Sequence, residues 1–168
     1  MTQLDRASVS TAFRSAMRQF AATVTVITVA DQERRHGMTA TSVTSLSMDP
    51  PSILVCINQS TLLHDMLLRA GRFCVNVLNR DQAGLSAAFA GAIPPEKRFE
   101  NGNWATSEDG IPYLVDAQAV LFNRKLAAMP FGTHTIFVGQ VEDVAMRDPI
   151  APLVYQDAAY CVASPAVQ

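Results

Sequence analysis

Phe13, Met17 and Phe20 recur at helical spacing, with Arg14, Arg18 and Gln19 off that line, and predict a helix over 10–22. Every residue of Thr23-Val24-Thr25-Val26-Ile27-Thr28-Val29 is β-branched, which predicts a strand. Asp31–Arg35 is a polar tip and Gly37 opens the next strand, so a hairpin is expected there. Beyond Pro50-Pro51 comes a third apolar strand, Ser52–Asn58. Ser60 or Thr61 caps a short helix over 62–70, ended by Gly71. A strand at Phe73–Leu78, a helix at Asp81–Phe89 and a Pro- and Gly-rich irregular excursion over 91–110 follow. The last third gives strands at 117–126, 133–144 and 153–155.

About six strands broken by short helices predict a mainly β fold, a small β-barrel with helical insertions and not an alternating βαβ sheet. The strands at 23–29 and 52–58 are apolar on both faces. One face would fill the barrel, and the other requires cover from a helix or a partner subunit. No repeat or low-complexity linker interrupts the chain, so 1–168 reads as a single domain with its core over about 10–162.

Composition narrows the function. Of 168 residues, 49% are hydrophobic and 17% charged, which suggests apolar surface hidden in a subunit interface; with the doubly apolar strands, the expectation is a homodimer. The net charge is −2, and basic residues never run longer than a pair, as at Arg34-Arg35 and Arg124-Lys125, which speaks against nucleic acid. No stretch of 18 apolar residues occurs, and Met1–Asp5 has neither a basic nor an apolar leader character. The expectation is a cytoplasmic protein with no membrane association. Cys56, Cys74 and Cys161 show no C-x-x-C spacing, and His36, His64 and His134 show no metal-ligand spacing, so no metal is expected. There is no G-x-G-x-x-G, P-loop, G-x-S-x-G or H-E-x-x-H.

One segment stands out chemically. Thr39, Thr41, Ser42, Thr44, Ser45 and Ser47 place six hydroxyls within nine residues, closed by Asp49-Pro50-Pro51. Asp49 is the only ionised side chain between His36 and Leu63. Hydroxyls and exposed amides can hold a phosphate or the polar edge of a heterocycle without a dense positive patch. Taken alone, the same composition also describes the solvent face of an antiparallel sheet.

Gly37–Ser42 with Asp49-Pro50-Pro51, Cys56-Ile57-Asn58, Phe73–Leu78, Arg98-Phe99, Trp104, Gly132-Thr133-His134 and Pro152–Tyr155 occur in an order that resembles the short-chain flavin reductases. The likeness runs from about Phe13 to Tyr160. It implies an FMN-binding split barrel and an NAD(P)H:flavin oxidoreductase that supplies reduced flavin to a separate monooxygenase. It also implies FMN or FAD as the flavin; the residues themselves lean to NADH over NADPH, because no Arg/Lys cluster suits a 2′-phosphate. By resemblance, Met38, Thr39, Ala40, Thr41 and Ser42 lie along the flavin ring and ribityl chain. A turn at Ser45-Leu46-Ser47 approaches the phosphate, and Asn58, Ser60 and Thr61 close over it. Arg98 and Phe99 lie near the nucleotide, with Arg98 the candidate for pairing its phosphate. Tyr155 joins the flavin-binding set, and His134 borders the nicotinamide. No catalytic side chain is expected, because hydride passes directly between stacked cofactors. Trp104 is expected to be a packing anchor. Two other readings of the residues are flavin-dependent reduction of another acceptor, such as a corrinoid, and a flavin-binding protein without turnover.

Overall fold

A computed structural model describes residues 6–164 of the chain; Met1–Asp5 and the last four residues lie outside the described part. The first helix, α1, is Arg6–Met17, so it begins and ends earlier than the apolar spacing predicted and leaves Phe20 beyond it. Its apolar line is not covered: Val9, Phe13 and Met17 are 51%, 64% and 45% exposed. The β-branched run is also divided. β1 (Ala22–Thr23) pairs with a C-terminal strand, while β2 (Thr25–Ala30) joins the main sheet. Val24 is the pivot between them, 1% exposed, with its N–H donating to the Leu153 carbonyl at 2.9 Å and its carbonyl accepting from the Leu78 N–H at 2.9 Å.

β2 turns into β3 (Arg35–Ala40) through the expected tip, where Asp31 Oδ1 accepts the N–H groups of Glu33 and Arg34. β4 (Val43–Met48) and β5 (Pro51–Asn58) form the next hairpin, and α2 (Leu62–Arg69) follows. Thr61 caps α2 by accepting from the His64 N–H. β6 (Arg72–Val77) precedes the short helix α3 (Ala83–Ala87), a wide turn over Ala88–Ala92 and a 3₁₀ turn over Pro95–Glu100. A small ribbon, β7 (Trp104–Thr106) with β8 (Pro112–Leu114), lies within and just beyond the expected irregular excursion. The strands expected at 117–126 and 133–144 are β9 (Ala119–Phe131) and β10 (His134–Met146), one long hairpin turned at Gly132. β11 (Leu153–Gln156) is continued by β12 (Ala159–Val162), which the sequence pattern did not reveal. The turn between them, Asp157-Ala158, has φ of 49° and 62° without a glycine or asparagine to announce it.

The main sheet runs β3-β2-β6-β9-β10-β5-β4. Its outer strands, β3 and β4, are consecutive in the chain and separated only by Thr41-Ser42. Six flat spacings would hold two such edges about 29 Å apart. The three peptide steps from Ala40 to Val43 span at most about 11 Å. The sheet therefore curls until its edges meet at residues 41–42, where the Cys56 N–H donates to the Ser42 carbonyl at 3.0 Å. This is a mainly β barrel left open along one seam, the split-barrel architecture that the resemblance implied.

The curl creates two cores on opposite faces of β2. Ile27 and Val29 pack with Val55, Ile57, Phe73, Phe137 and the α2 residues Leu63 and Leu67. Val26 packs instead with Phe89, Phe99, Leu114 and Val120, under the 83–114 excursion. The second apolar face of β2 is thus covered from within the same chain. Asn76 fastens that cover: fully buried, it donates to the Val26 carbonyl at 2.9 Å and accepts the Leu114 N–H at 2.8 Å. On β10, Gly139 lies at a bulge, and a Cβ there would stand 2.6 Å from Phe73 Cζ.

Gly139→Ala is expected to destabilise the fold by about 1–3 kcal/mol through overpacking, measured as a lower urea midpoint. An unchanged midpoint would show that Phe73 yields freely. His36 on β3 is buried, and burial together with the Arg98 charge pushes its pKa down to about 4. The unfolded chain binds this proton near pH 6.5 and the folded chain does not. Stability from His36 is therefore complete above pH 6.5 and is lost as pH falls toward 4. Urea unfolding at pH 7 and 5 should show a smaller acid loss in His36→Gln than in the parent; equal losses would contradict this assignment.

Candidate functional site

The seam at residues 41–42 opens into a cavity of about 380 Å³. Met38, Thr39 and Ala40 of β3 form one wall, and Cys56 and Asn58 of β5 the other. Thr41 and Ser42 cross between them. Ser86 of α3, Ala90, and Tyr155 and Tyr160 of the C-terminal hairpin close a third side, and His134 stands at the mouth. No lining residue carries a fixed charge. Neither the backbone N–H nor the hydroxyl of Thr41 or Ser42 is committed to a hydrogen bond within the described residues. These two residues bridge the sheet edges, where no neighbouring strand takes up their donors.

The third wall is held by polar bonds. Thr39 Oγ1 donates to the Ser86 carbonyl at 2.7 Å, and the Tyr160 hydroxyl donates to Ser86 Oγ at 3.0 Å. Tyr155 and Tyr160 meet edge to face at 5.5 Å, an aromatic pair opposite the hydroxyl-bearing strand. The hairpin tip is tied to the end of α1, where Arg18 Nε donates to Asp157 Oδ1 at 2.8 Å. At the mouth, His134 is paired in register with Asn58. Gln59 Nε2 donates to the His134 carbonyl at 2.9 Å, and the ring Nδ1 lies 2.9 Å from Thr133 Oγ1.

Nine of the expected residues come together here: Met38, Thr39, Ala40, Thr41, Ser42, Asn58, Thr61, His134 and Tyr155. Ser60 does not line the cavity; its N–H and hydroxyl both reach Asn58 Oδ1 at 2.9 Å and shape the 58–61 turn. Ser45, Leu46 and Ser47 depart from expectation. They form no turn but the bulged middle of edge strand β4, outside the cavity, with Ser45 opposite Ile53 and Ser47 opposite Ser52. Ser47 Oγ is occupied by the Asp49 backbone. Arg98 and Phe99 are likewise elsewhere. Arg98 Nη1 donates to the Gly37 carbonyl at 3.1 Å. Phe99 is buried against Phe89 and Trp104, with the Arg35 guanidinium 4.6 Å above its ring. The adjacent Arg and Phe read as one motif in sequence, yet in the fold they pack against β3 and its neighbours.

Sequence reasoning missed Val24, Cys56, Ser86, Ala90 and Tyr160. Cys56 sits in an apolar strand and reads as core, but its strand borders the seam. Tyr160 lies beyond an unmarked turn and carried no signal at all. Cys74 is the buried thiol that was expected, its pKa pushed up to about 12 by burial. Trp104 is the expected packing anchor, 5.2 Å from Phe89 and 5.0 Å from Phe99.

The cavity fits a flat heterocycle with a polar edge: it has neutral walls, unpaired N–H and hydroxyl donors along one side and two aromatic rings on another. Among the described residues no group of three or more His, Cys, Asp or Glu could hold a metal ion. Among the described residues no helix is long and apolar enough to cross a membrane.

Comparison with known proteins agrees with this geometry. The family described as flavin reductase like domain matches residues 17–164. The chain is 53% identical over 156 residues to the reductase component of the FADH(2)-dependent resorcinol hydroxylase of Rhizobium sp. strain MTP-10005, covering 92% of this chain and 87% of that protein. It is 36% identical over 146 residues to the reductase component of 4-hydroxyphenylacetate 3-monooxygenase from Pseudomonas aeruginosa, covering 86% of each. Among solved structures, the NADH:FAD oxidoreductase of Streptomyces globisporus in complex with NAD and FAD fragments superposes with a TM-score of 0.88 at 27% identity, over 99% of this chain and 100% of that one. With its split barrel, its seam cavity and these relatives, the chain belongs to the flavin reductase like domain family.

Proposed function

We propose that this chain is an NADH-dependent flavin reductase that passes reduced FMN or FAD, as diffusing flavin, to a separate monooxygenase. The observation that carries this reading is the uncharged seam cavity with the unpaired donors of Thr41 and Ser42. Flavin and nicotinamide, when bound, supply the redox chemistry between their stacked rings. The protein's part is to hold and orient. The N–H and hydroxyl groups of Thr41 and Ser42 would face the ring edge that gains negative charge on reduction. Met38, Thr39 and Ala40 would lie along the ring, and Tyr155 with Tyr160 would bound the slot. His134, at the mouth, would border the nicotinamide, with its ring held by Thr133. Walls without cations suit release, since no ion pair anchors the flavin here. Their neutrality also favours NADH over NADPH, whose extra phosphate would find no partner in this cavity.

We further propose a homodimer in the cytoplasm, with 1–168 as a single domain. Met48, Phe131 and Met146 are more than four-fifths exposed, and such apolar surface calls for cover. Sedimentation at the mass of one chain would remove the dimer.

Added FMN, FAD or riboflavin should accelerate NADH oxidation over the protein-free rate. No acceleration with any of them would eliminate the reductase reading. His134→Ala should raise the KM for NADH several-fold, about the worth of one lost contact, while flavin affinity measured by fluorescence stays within twofold. A change in flavin affinity with KM for NADH untouched would displace His134 from the nicotinamide side.

A further inference from the structure

His134 at the cavity mouth is the end of a chain of polar contacts that starts on α2. His64 of that helix is buried and meets Phe137 edge to face, with ring centroids 5.8 Å apart. Its Nδ1 lies 3.3 Å from Asp65 Oδ1, and its Nε2 lies 2.9 Å from Thr135 Oγ1. Thr135, on β10, is 2% exposed, and its Oγ1 is also 3.5 Å from Gln59 Nε2. Gln59 in turn clamps the start of β10 twice. Its Nε2 donates to the His134 carbonyl at 2.9 Å, and its backbone N–H donates to the Thr133 carbonyl at 3.0 Å. Of these side chains only that of His134 belongs to a residue lining the seam cavity.

The protons of this chain can be assigned. A carbonyl only accepts, so Gln59 presents its NH₂ group to His134, and the same NH₂ makes Thr135 Oγ1 an acceptor. The one hydroxyl proton of Thr135 is then left for His64 Nε2, which must be bare. The ring proton therefore sits on Nδ1, facing the Asp65 carboxylate. A proton on Nε2 instead would leave the buried Thr135 hydroxyl without an acceptor among the described residues, and would turn the Nδ1 lone pair toward a carboxylate. All donors thus point one way, from Gln59 through Thr135 and His64 to Asp65.

We propose that His64 is a positioning residue for the nicotinamide side of the site. In its Nδ1–H form it takes the Thr135 proton, which leaves Thr135 Oγ1 free to accept from Gln59. Gln59, fixed in that rotamer, holds the His134 backbone where the His134 ring meets the nicotinamide. This rests on the reductase reading and on the place of His134 in it. His64 touches neither cofactor and acts through His134, so its effect falls on nicotinamide binding and not on flavin binding.

The test is steady-state kinetics with a double-mutant cycle, joined to a spectrum of the ring. His64→Leu keeps the bulk and removes the acceptor. It should raise the KM for NADH about fivefold, the worth of one hydrogen bond, with kcat and riboflavin affinity within about twofold. Thr135→Val should do the same, and the double variant should do no more than either, because both act through one contact. In a His134→Ala background His64→Leu should change the KM no further. His64→Gln, whose Oε1 can accept the Thr135 proton, should recover most of the loss. Long-range proton–nitrogen NMR of the parent, taken well above the ordinary histidine range, should show His64 protonated on Nδ1.

A proton on Nε2 would overturn the arrangement. Additive effects of His64→Leu and His134→Ala, or an equal loss of riboflavin affinity, would reduce His64 to a packing residue and overturn the proposal. Should His64→Leu fail to fold, Thr135→Val alone and in the His134→Ala background decides in its place. If the parent shows no flavin-dependent NADH oxidation, the reductase reading falls and this inference with it, whichever nitrogen carries the proton.

Discussion

The crossing from Ala40 to Val43 is the constraint on which the rest of the structure depends. It forces the two outermost strands of a seven-stranded sheet to be neighbours in the chain, and the sheet can satisfy that only by curling. Closure by covalent connection instead of strand pairing leaves a seam, and at the seam the backbone donors of Thr41 and Ser42 have no partner strand. The barrel's closing segment and the polar floor of its cavity are therefore the same two residues. A regular hydrogen-bonded closure would have consumed those donors and removed the cavity.

The walls show how a small fold divides its labour. The barrel interior, packed by Ile27, Val55, Phe73 and Phe137, fixes where β3 and β5 stand. The outer core under the 83–114 excursion fixes α3, and with it Ser86, which receives bonds from both Thr39 and Tyr160. The C-terminal hairpin then reaches back to the first helix through Arg18 and Asp157. The end of α1 and the C-terminal hairpin thus meet beside the seam, and together they frame a second hollow next to the first. The same segment 41–42 serves as floor to a neutral space on one side and to a cation-bearing one on the other.

Much of the fold was legible because its signals are local. The β-branched run, the Asp31 tip, the Thr61 cap and the double-faced apolar strands each act within a few residues, and each led to the right element. The misses share a physical cause. Val24 splits the first strand because Leu153 and Leu78, more than fifty residues away, compete for its backbone. The β12 strand stayed hidden because Asp157 and Ala158 adopt positive φ in a turn that the ion pair with Arg18 and the backbone bond to it help to hold. Ser45–Ser47 looked like part of the cradle because hydroxyls recur through it, but these residues belong to a bulged edge strand paired with β5 and do not line the cavity.

The sequence by itself determined the element types, the uncharged and hydroxyl-rich character of residues 39–47, and the family to which the ordered motifs point. Those are properties of neighbouring side chains, set by steric preference and by composition. Only the tertiary structure decided which of those hydroxyls line the cavity, that Arg98 is held by the Gly37 carbonyl outside it, and that Arg14 and Arg18 line the hollow next door. These are outcomes of closing the sheet, which brings together groups that no local pattern relates.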